Sequence, residues 1–278
     1  MMMQPFRVSD PSGVFVSIDP HSIMDNSAGC PPVVIDVESS ESESCEEVEQ
    51  LRWPTVSPNT EMLMELFSPP RLTVVHKAVY NGLGASMDLS TGWDAMNWSD
   101  RAASWNWQTS VKPRYVMCSP PCTMFSSMMR TNKSRMCPLD WDTRMNDALI
   151  HMRYSVDTCK LQVDNGCFFA HEHPVDASSW QLPEIDMLRQ LPNVEEVVFD
   201  QCRLGLRSPS GEPLRKRTRI MTNAPGIVAN LVNMQCNCPR GSHVTISGCQ
   251  LGITISKFSQ RYPPAFVRAL VDGFHASW

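Results

Sequence analysis

Two side chains in this sequence have the types and setting for covalent chemistry. Cys122 stands in Cys118-Ser119-Pro120-Pro121-Cys122-Thr123-Met124-Phe125-Ser126, and about fifty residues later Glu172 stands in Phe168-Phe169-Ala170-His171-Glu172-His173-Pro174. A cysteine thiolate is a nucleophile and a carboxylic acid supplies a proton. At neighbouring strand ends the two suit nucleophilic addition to an electron-poor double bond, with the acid taking up the charge that develops. A thiol beside arginines or a helix N-terminus ionises more easily, and this is expected of Cys122. The same residues allow two other readings. One is a hydrolase dyad of Cys122 with His171 or His173, and the other is a metal held at His171-x-His173.

Further candidates lie downstream. Arg215-Lys216-Arg217-Thr218-Arg219 is a dense cationic run. Cys236-x-Cys238 with His243 offers three zinc ligands, to be completed by a fourth such as Cys202 or Cys249. Arg130, Lys133 and Arg135 follow the Cys122 segment on an expected mobile loop, 128–135, where they would meet phosphates. Trp93, Trp98, Trp105 and Trp107 with Arg101 read either as a base-stacking surface or as packing over a sheet, and packing is the commoner fate of tryptophan.

These groups need a scaffold, and the hydrophobic pattern supplies one. Short apolar runs bounded by Pro, Gly or acidic residues predict strands at 62–67, 85–89, 114–118, 167–170, 194–200 and 219–222. Helices are expected at 72–81, 140–164, 183–191 and 264–274. In the second of these, Met145, Ala148, Leu149, Met152, Val156 and Cys159 recur at helical spacing. Alternating strands and helices predict an α/β fold, a mostly parallel sheet with helices on both faces. In such sheets ligands lie beyond the carboxyl ends of the strands, where Asp88, Cys122 and Glu172 all fall.

Composition divides the chain. Its net charge is -5, yet residues 1–60 carry 10 Asp and Glu against 2 Lys and Arg, and the remainder carries 19 against 22. The first 60 residues are expected to be a disordered acidic segment, with one folded domain over 61–278. The mildly basic remainder permits a nucleic-acid partner. No apolar run is long enough for a membrane span, and no export signal is apparent. The 11 cysteines, odd in number and irregular in spacing, do not read as a disulfide framework. An intracellular location is therefore expected, nuclear in a eukaryote.

The ordered motifs resemble those of the cytosine-5 DNA methyltransferases. Pro120-Pro121-Cys122 with Phe125-Ser126 is similar to the family's nucleophile loop, which implies that Cys122 attacks the base. Phe169-Ala170-His171-Glu172-His173 resembles the strand ending in Glu-Asn-Val, so the family's proton donor maps to Glu172, with His173 where the family has Asn. Arg217 and Arg219 match an Arg-x-Arg motif whose arginines hold the flipped nucleotide, with Arg215 replacing its glutamine. Gln260-Arg261-Tyr262-Pro263-Pro264 resembles the closing motif. The resemblance implies a Rossmann-like methyltransferase fold and methylation of cytosine carbon 5 in DNA, or in RNA, with S-adenosylmethionine as cofactor beside Phe67, Asp88 and Pro120; the rival reading is a non-catalytic nucleic-acid-binding protein that kept the fold. The family's Phe-x-Gly-x-Gly loop is here Phe67-Ser68-Pro69-Pro70-Arg71. The target-recognition region is reduced to about 223–257.

Overall fold

The computed structural model describes residues 53–54 and 61–278. The expected disorder of 1–60 lies outside the described residues, except that Trp53 and Pro54 pack on the folded domain.

Strand β1 (Met62–Leu66) is followed by helix α1 (Leu72–Tyr80), strand β2 (Leu83–Met87), helix α2 (Trp98–Val111) and strand β3 (Tyr115–Cys118). Helices α3 (Ser127–Asn132) and α4 (Pro138–Asp164), strand β4 (Phe168–Pro174), helix α5 (Pro183–Arg189) and strand β5 (Glu195–Asp200) come next. Strand β6 (Arg217–Thr222) and helix α6 (Pro225–Leu231) lead into a two-residue hairpin of β7 (Cys249–Gln250) and β8 (Ile253–Thr254). Helices α7 (Ile255–Phe258) and α8 (Pro264–His275) close the chain.

Six strands form one sheet in the order β2-β1-β3-β4-β6-β5. Only β6 runs against the others, inserted between β4 and β5. This is the expected α/β, Rossmann-like architecture, a mostly parallel sheet with helices on both faces. Side chains alternate across a strand, so a central strand feeds two cores. Met62, Met64, Val116 and Met87 face α2, α4 and α5. Leu63, Tyr115, Met117, Phe199 and Ile220 face α1, α6 and α8. Each large apolar side chain so buried contributes about 1.5–3 kcal/mol.

Three sequence expectations change. Residues 127–132 are helix α3, and 133–135 a 3-10 turn, where a loop was expected. Helix α6 falls inside the expected recognition region but belongs to the main core through Ile227 and Leu231. It packs so closely on α8 that a Cβ on Gly273 would lie 2.7 Å from Ile227 Cα. The tryptophans divide: Trp93 and Trp107 are buried, Trp105 is half-buried, and Trp98 is exposed. Trp107 packs on Trp53 with ring centroids 5.9 Å apart, and its Nε1–H donates to the Pro54 carbonyl at 3.1 Å. No helix among the described residues is long and apolar enough to cross a membrane.

Candidate active site

The β3 strand delivers the chain to Ser119, and two prolines then restrict its path to Cys122. Cys122 opens a 3-10 turn, Thr123–Phe125, and is half-buried. The loop is braced from β4. Pro120 has only an acceptor to offer, so His173 Nε2–H donates to its carbonyl at 3.0 Å. His173 Nδ1 then accepts from the Ser179 hydroxyl at 2.7 Å. Burial holds the His173 pKa down to about 4, which keeps the ring neutral in this role. His173 is thus the brace itself. Ser126 Oγ accepts from the Met129 amide at 3.2 Å and caps α3.

The β4 pleat sends His171 and His173 to one face and Glu172 to the other. His171 pairs across the sheet with Met221, Glu172 with Ile220 and His173 with Arg219. His171 Nδ1 bonds the Ser155 hydroxyl at 2.9 Å, and both rings meet Trp180 edge-on. Neither ring is bonded to Cys122, so a Cys–His dyad is not assembled, and no metal-ligand group forms around them among the described residues.

Glu172 is 6% exposed. Its Oε2 accepts from the Tyr262 hydroxyl at 2.9 Å, and the Ser119 and Tyr262 hydroxyls are 2.8 Å apart. With Tyr262 donating to Glu172, Ser119 is the donor in that second bond. Its other oxygen, Oε1, is buried with no partner in the protein. A buried carboxylate oxygen left without a donor is costly unless a ligand or water supplies one. Burial and the neighbouring Glu172 push the Tyr262 hydroxyl well above its usual range, so it stays a donor. Tyr262→Phe is expected to destabilise the protein by about 1–3 kcal/mol in urea unfolding, because a buried carboxyl oxygen of Glu172 loses its side-chain donor. Unchanged stability would show that this bond is not made.

Cys122 departs from the sequence expectation. Its thiol is pushed above the ordinary value, first by burial and then by the negative charge of Glu172, with Lys216 pulling the other way. The cation beside the thiol is therefore Lys216, whose Nζ lies 5.8 Å from the Tyr262 ring centroid. The structure does not bring Arg217 and Arg219 to this face. Arg219 bonds Glu196 at 3.0 Å and lies over Trp180, and Arg217 Nε is 4.0 Å from Asp200. Strand parity explains the exchange: Thr218 and Ile220 share one face of β6, the parity of Lys216 directly before it, while Arg217 and Arg219 take the other.

At the expected cofactor end, Phe67 and Asp88 do stand at the ends of β1 and β2. Phe67 is held at φ 61, and its ring meets Trp93 and His151 at centroid distances of 5.5 and 5.4 Å. Asp88 Oδ1 caps a turn through the Ser90 amide at 2.9 Å. The Pro120 carbonyl is taken by His173. Between β1 and α1, Pro69 and Pro70 have no amide hydrogen, and the amides of Arg71 and Thr73 both donate to Glu65 Oε1, at 2.7 and 2.8 Å. Arg71 extends its guanidinium to the Gln260 carbonyl at 2.9 Å and over the Tyr262 ring. The amino-acid carboxylate of S-adenosylmethionine needs free amides and a bare backbone. With Pro69 and Pro70 lacking amide hydrogens, the Arg71 and Thr73 amides taken by Glu65, and no glycine between Phe67 and Arg71, the loop is a poor fit to that end of the cofactor.

The candidate metal ligands do come together. Cys202, Cys236, Cys238 and His243 present ligand atoms all within 4.8 Å of one another, and Cys249 is exposed on β7 outside this group. Sequence reading passed over Tyr262, Ser119 and Lys216 as members of the site. The one visible signal was a tyrosine inside the closing motif.

No protein-family model matches the chain, and no curated protein matches it. Among solved structures, it is similar to the crystal structure of the S. pombe Dnmt2 methyltransferase, with 11% identity and a TM-score of 0.27. The similarity covers 58% of this chain and 48% of that one, so the chain spans about half of that protein's length. Likeness at this level bears on neither activity nor substrate.

Proposed function

We propose that this chain binds a cytosine lifted out of a nucleic-acid strand beside Cys122 and Glu172, and adds Cys122 to carbon 6 of the base. The observation that carries this reading is the buried, unpartnered Oε1 of Glu172. It is a proton site with no partner of its own, beside a thiol whose ionisation its charge opposes. DNA is the proposed substrate, and the base must leave the stack for the half-buried Cys122 and buried Glu172 to reach it. Arg130, Lys133 and Arg135, exposed just after the nucleophile loop, are placed for phosphates.

The chemistry follows from one proton shared by two acids. With Glu172 ionised, Cys122 is a thiol. Transfer of that proton to Glu172 leaves a thiolate beside a neutral acid, which is the reactive pair. The thiolate forms a bond to carbon 6, the ring electron pair moves toward nitrogen 3, and Glu172 returns its proton there. Tyr262 holds Oε2 throughout, which leaves Oε1 toward the base. Carbon 5 of the resulting enamine takes a proton from water. Loss of the original carbon-5 hydrogen to water, return of the nitrogen-3 proton to Glu172 and expulsion of the thiolate restore cytosine. The net reaction is exchange of that hydrogen with solvent, and it needs no second substrate. The test is release of tritium from [5-³H]cytosine in DNA, with an RNA arm to decide between the two nucleic acids.

Methyl transfer, which the sequence resemblance implies, would use the same adduct together with S-adenosylmethionine. The loop at Pro69, Pro70 and Arg71 speaks against that cofactor. Isothermal titration at millimolar S-adenosylmethionine is expected to give no binding heat. Saturable binding there would restore the methyltransferase reading.

A further inference from the structure

We propose that Cys202, Cys236, Cys238 and His243 hold a structural zinc ion. Thiolates at about 2.3 Å around a tetrahedral zinc stand about 3.8 Å apart, and an imidazole nitrogen slightly closer. Here all four ligand atoms lie within 4.8 Å of one another, and Cys236 Sγ is 3.4 Å from His243 Nε2. The set is closed, with four protein ligands and no position left for water, as in structural rather than catalytic sites. Three soft thiolates with one imidazole favour zinc over calcium, magnesium or manganese, which take oxygen ligands.

Three separate segments converge to make it. Cys202 sits in the 3-10 turn Gln201–Leu204 that directly follows β5. Cys236 and Cys238 come after α6, and His243 follows a turn through Gly241 at φ 81. Their backbone is already fixed around the cluster. Asp200, 1% exposed, accepts the Cys236 amide on Oδ2 at 2.9 Å and Arg215 Nε on Oδ1 at 3.2 Å. Arg203 donates to Asn237 Oδ1 at 2.6 Å. Three thiolates and Asp200 would be balanced by the divalent ion with Arg215 and Arg217, so the ion completes a neutral group.

The site also answers a folding question. The chain from α6 to α7 has only the two-residue strands β7 and β8 and a satellite core whose fully buried members are Leu206, Leu214 and Ile255. So small a core does not repay the ordering of a segment this long, and a metal cross-link is the usual remedy. Because Asp200 links Cys236 to Arg215, the ion would also fix the start of β6 and with it Lys216 beside Cys122.

The test uses the full chain, without a polyhistidine tag, produced in zinc-supplemented medium. Elemental mass spectrometry is expected to find one zinc per chain. Cys202→Ser and Cys238→Ser should lower it to background, while Cys249→Ser and Cys137→Ser keep it. Should the serine variants not fold, Cys238→His retains a ligand and should retain the metal. Cobalt exchanged into the wild-type protein should show the intense spectrum of a tetrahedral thiolate site. Folded wild-type protein with little zinc, a disulfide among these cysteines by intact mass, a weak octahedral cobalt spectrum, or equal zinc loss in Cys249→Ser would each overturn the assignment. None of these readouts depends on chemistry at Cys122.

Discussion

Glu172→Gln is expected to make Cys122 more reactive toward a simple alkylating agent and nearly inert toward cytosine. The carboxylate opposes ionisation of the thiol, so its removal lowers the Cys122 pKa and increases the thiolate fraction at neutral pH. Iodoacetamide labelling of Cys122 should accelerate several-fold in this variant and slow in Lys216→Gln, which removes the opposing cation. Hydrogen exchange at carbon 5 should instead fall by about 10²–10⁴, the usual worth of a positioned acid–base group, because glutamine cannot deliver a proton to nitrogen 3. A residue that merely held the loop would slow exchange without accelerating alkylation. Parallel movement of the two rates would therefore remove Glu172 from the mechanism.

The second large effect is on stability in acid. Burial, then the neighbouring His173, hold His171 at about 3, and burial holds His173 at about 4, whereas an unfolded chain titrates near 6.5. Above pH 6.5 both states carry neutral rings, and these groups make no pH-dependent contribution. Below it the unfolded chain takes up two protons that the folded chain refuses, so stability falls as pH falls and levels only near the folded values. Each pH unit costs about 1.4 kcal/mol per ring, or roughly 5 kcal/mol for the pair between pH 6.5 and about pH 4.5. His76, His151 and His275, also lowered by burial, add in the same direction. Glu65, raised by burial, works against them as a single group. Against a net stability of 5–15 kcal/mol typical of domains, unfolding is expected near about pH 4–5. Urea titrations across this range check it. His173→Asn keeps a donor for the Pro120 carbonyl and should remove about half of the slope contributed by the pair. A flat profile from pH 6.5 to about 4.5 would show that the rings are solvated.

Much of this site was legible in the sequence because its parts are local. The Pro-Pro-Cys run, the strand that ends at Glu172 and the alternation of strands with helices each declare themselves within a dozen residues. Other parts depend on registers that no local pattern carries. Tyr262 meets Glu172 from 90 residues away, through a loop that only the packing of α8 places. Arg217 and Arg219 were read as base-holding groups, but β6 is antiparallel and pairs Ile220, not an arginine, with Glu172. One step of parity turns both arginines to the far face and brings Lys216 to the near one. Helix α6 was missed because it is seven residues long and declares only Ile227 and Leu231 as buried. Cys202 and Cys249 were equivalent as ligands on paper, and only the turn after β5 chooses between them. The rise in the Cys122 pKa was unreadable for a similar reason: the basic run is near in sequence, but the charge nearest the thiol includes an acid from another strand.

The central claim is covalent attack by Cys122 on cytosine without a methyl donor. The most direct measurement is tritium release from single-stranded DNA carrying [5-³H]cytosine, with no S-adenosylmethionine present, for the wild-type chain and Cys122→Ala. Time-dependent release by the wild type, reduced to the protein-free rate in Cys122→Ala, is the expected result. Release at the same rate from both proteins, or from neither while the DNA is demonstrably bound, would contradict it.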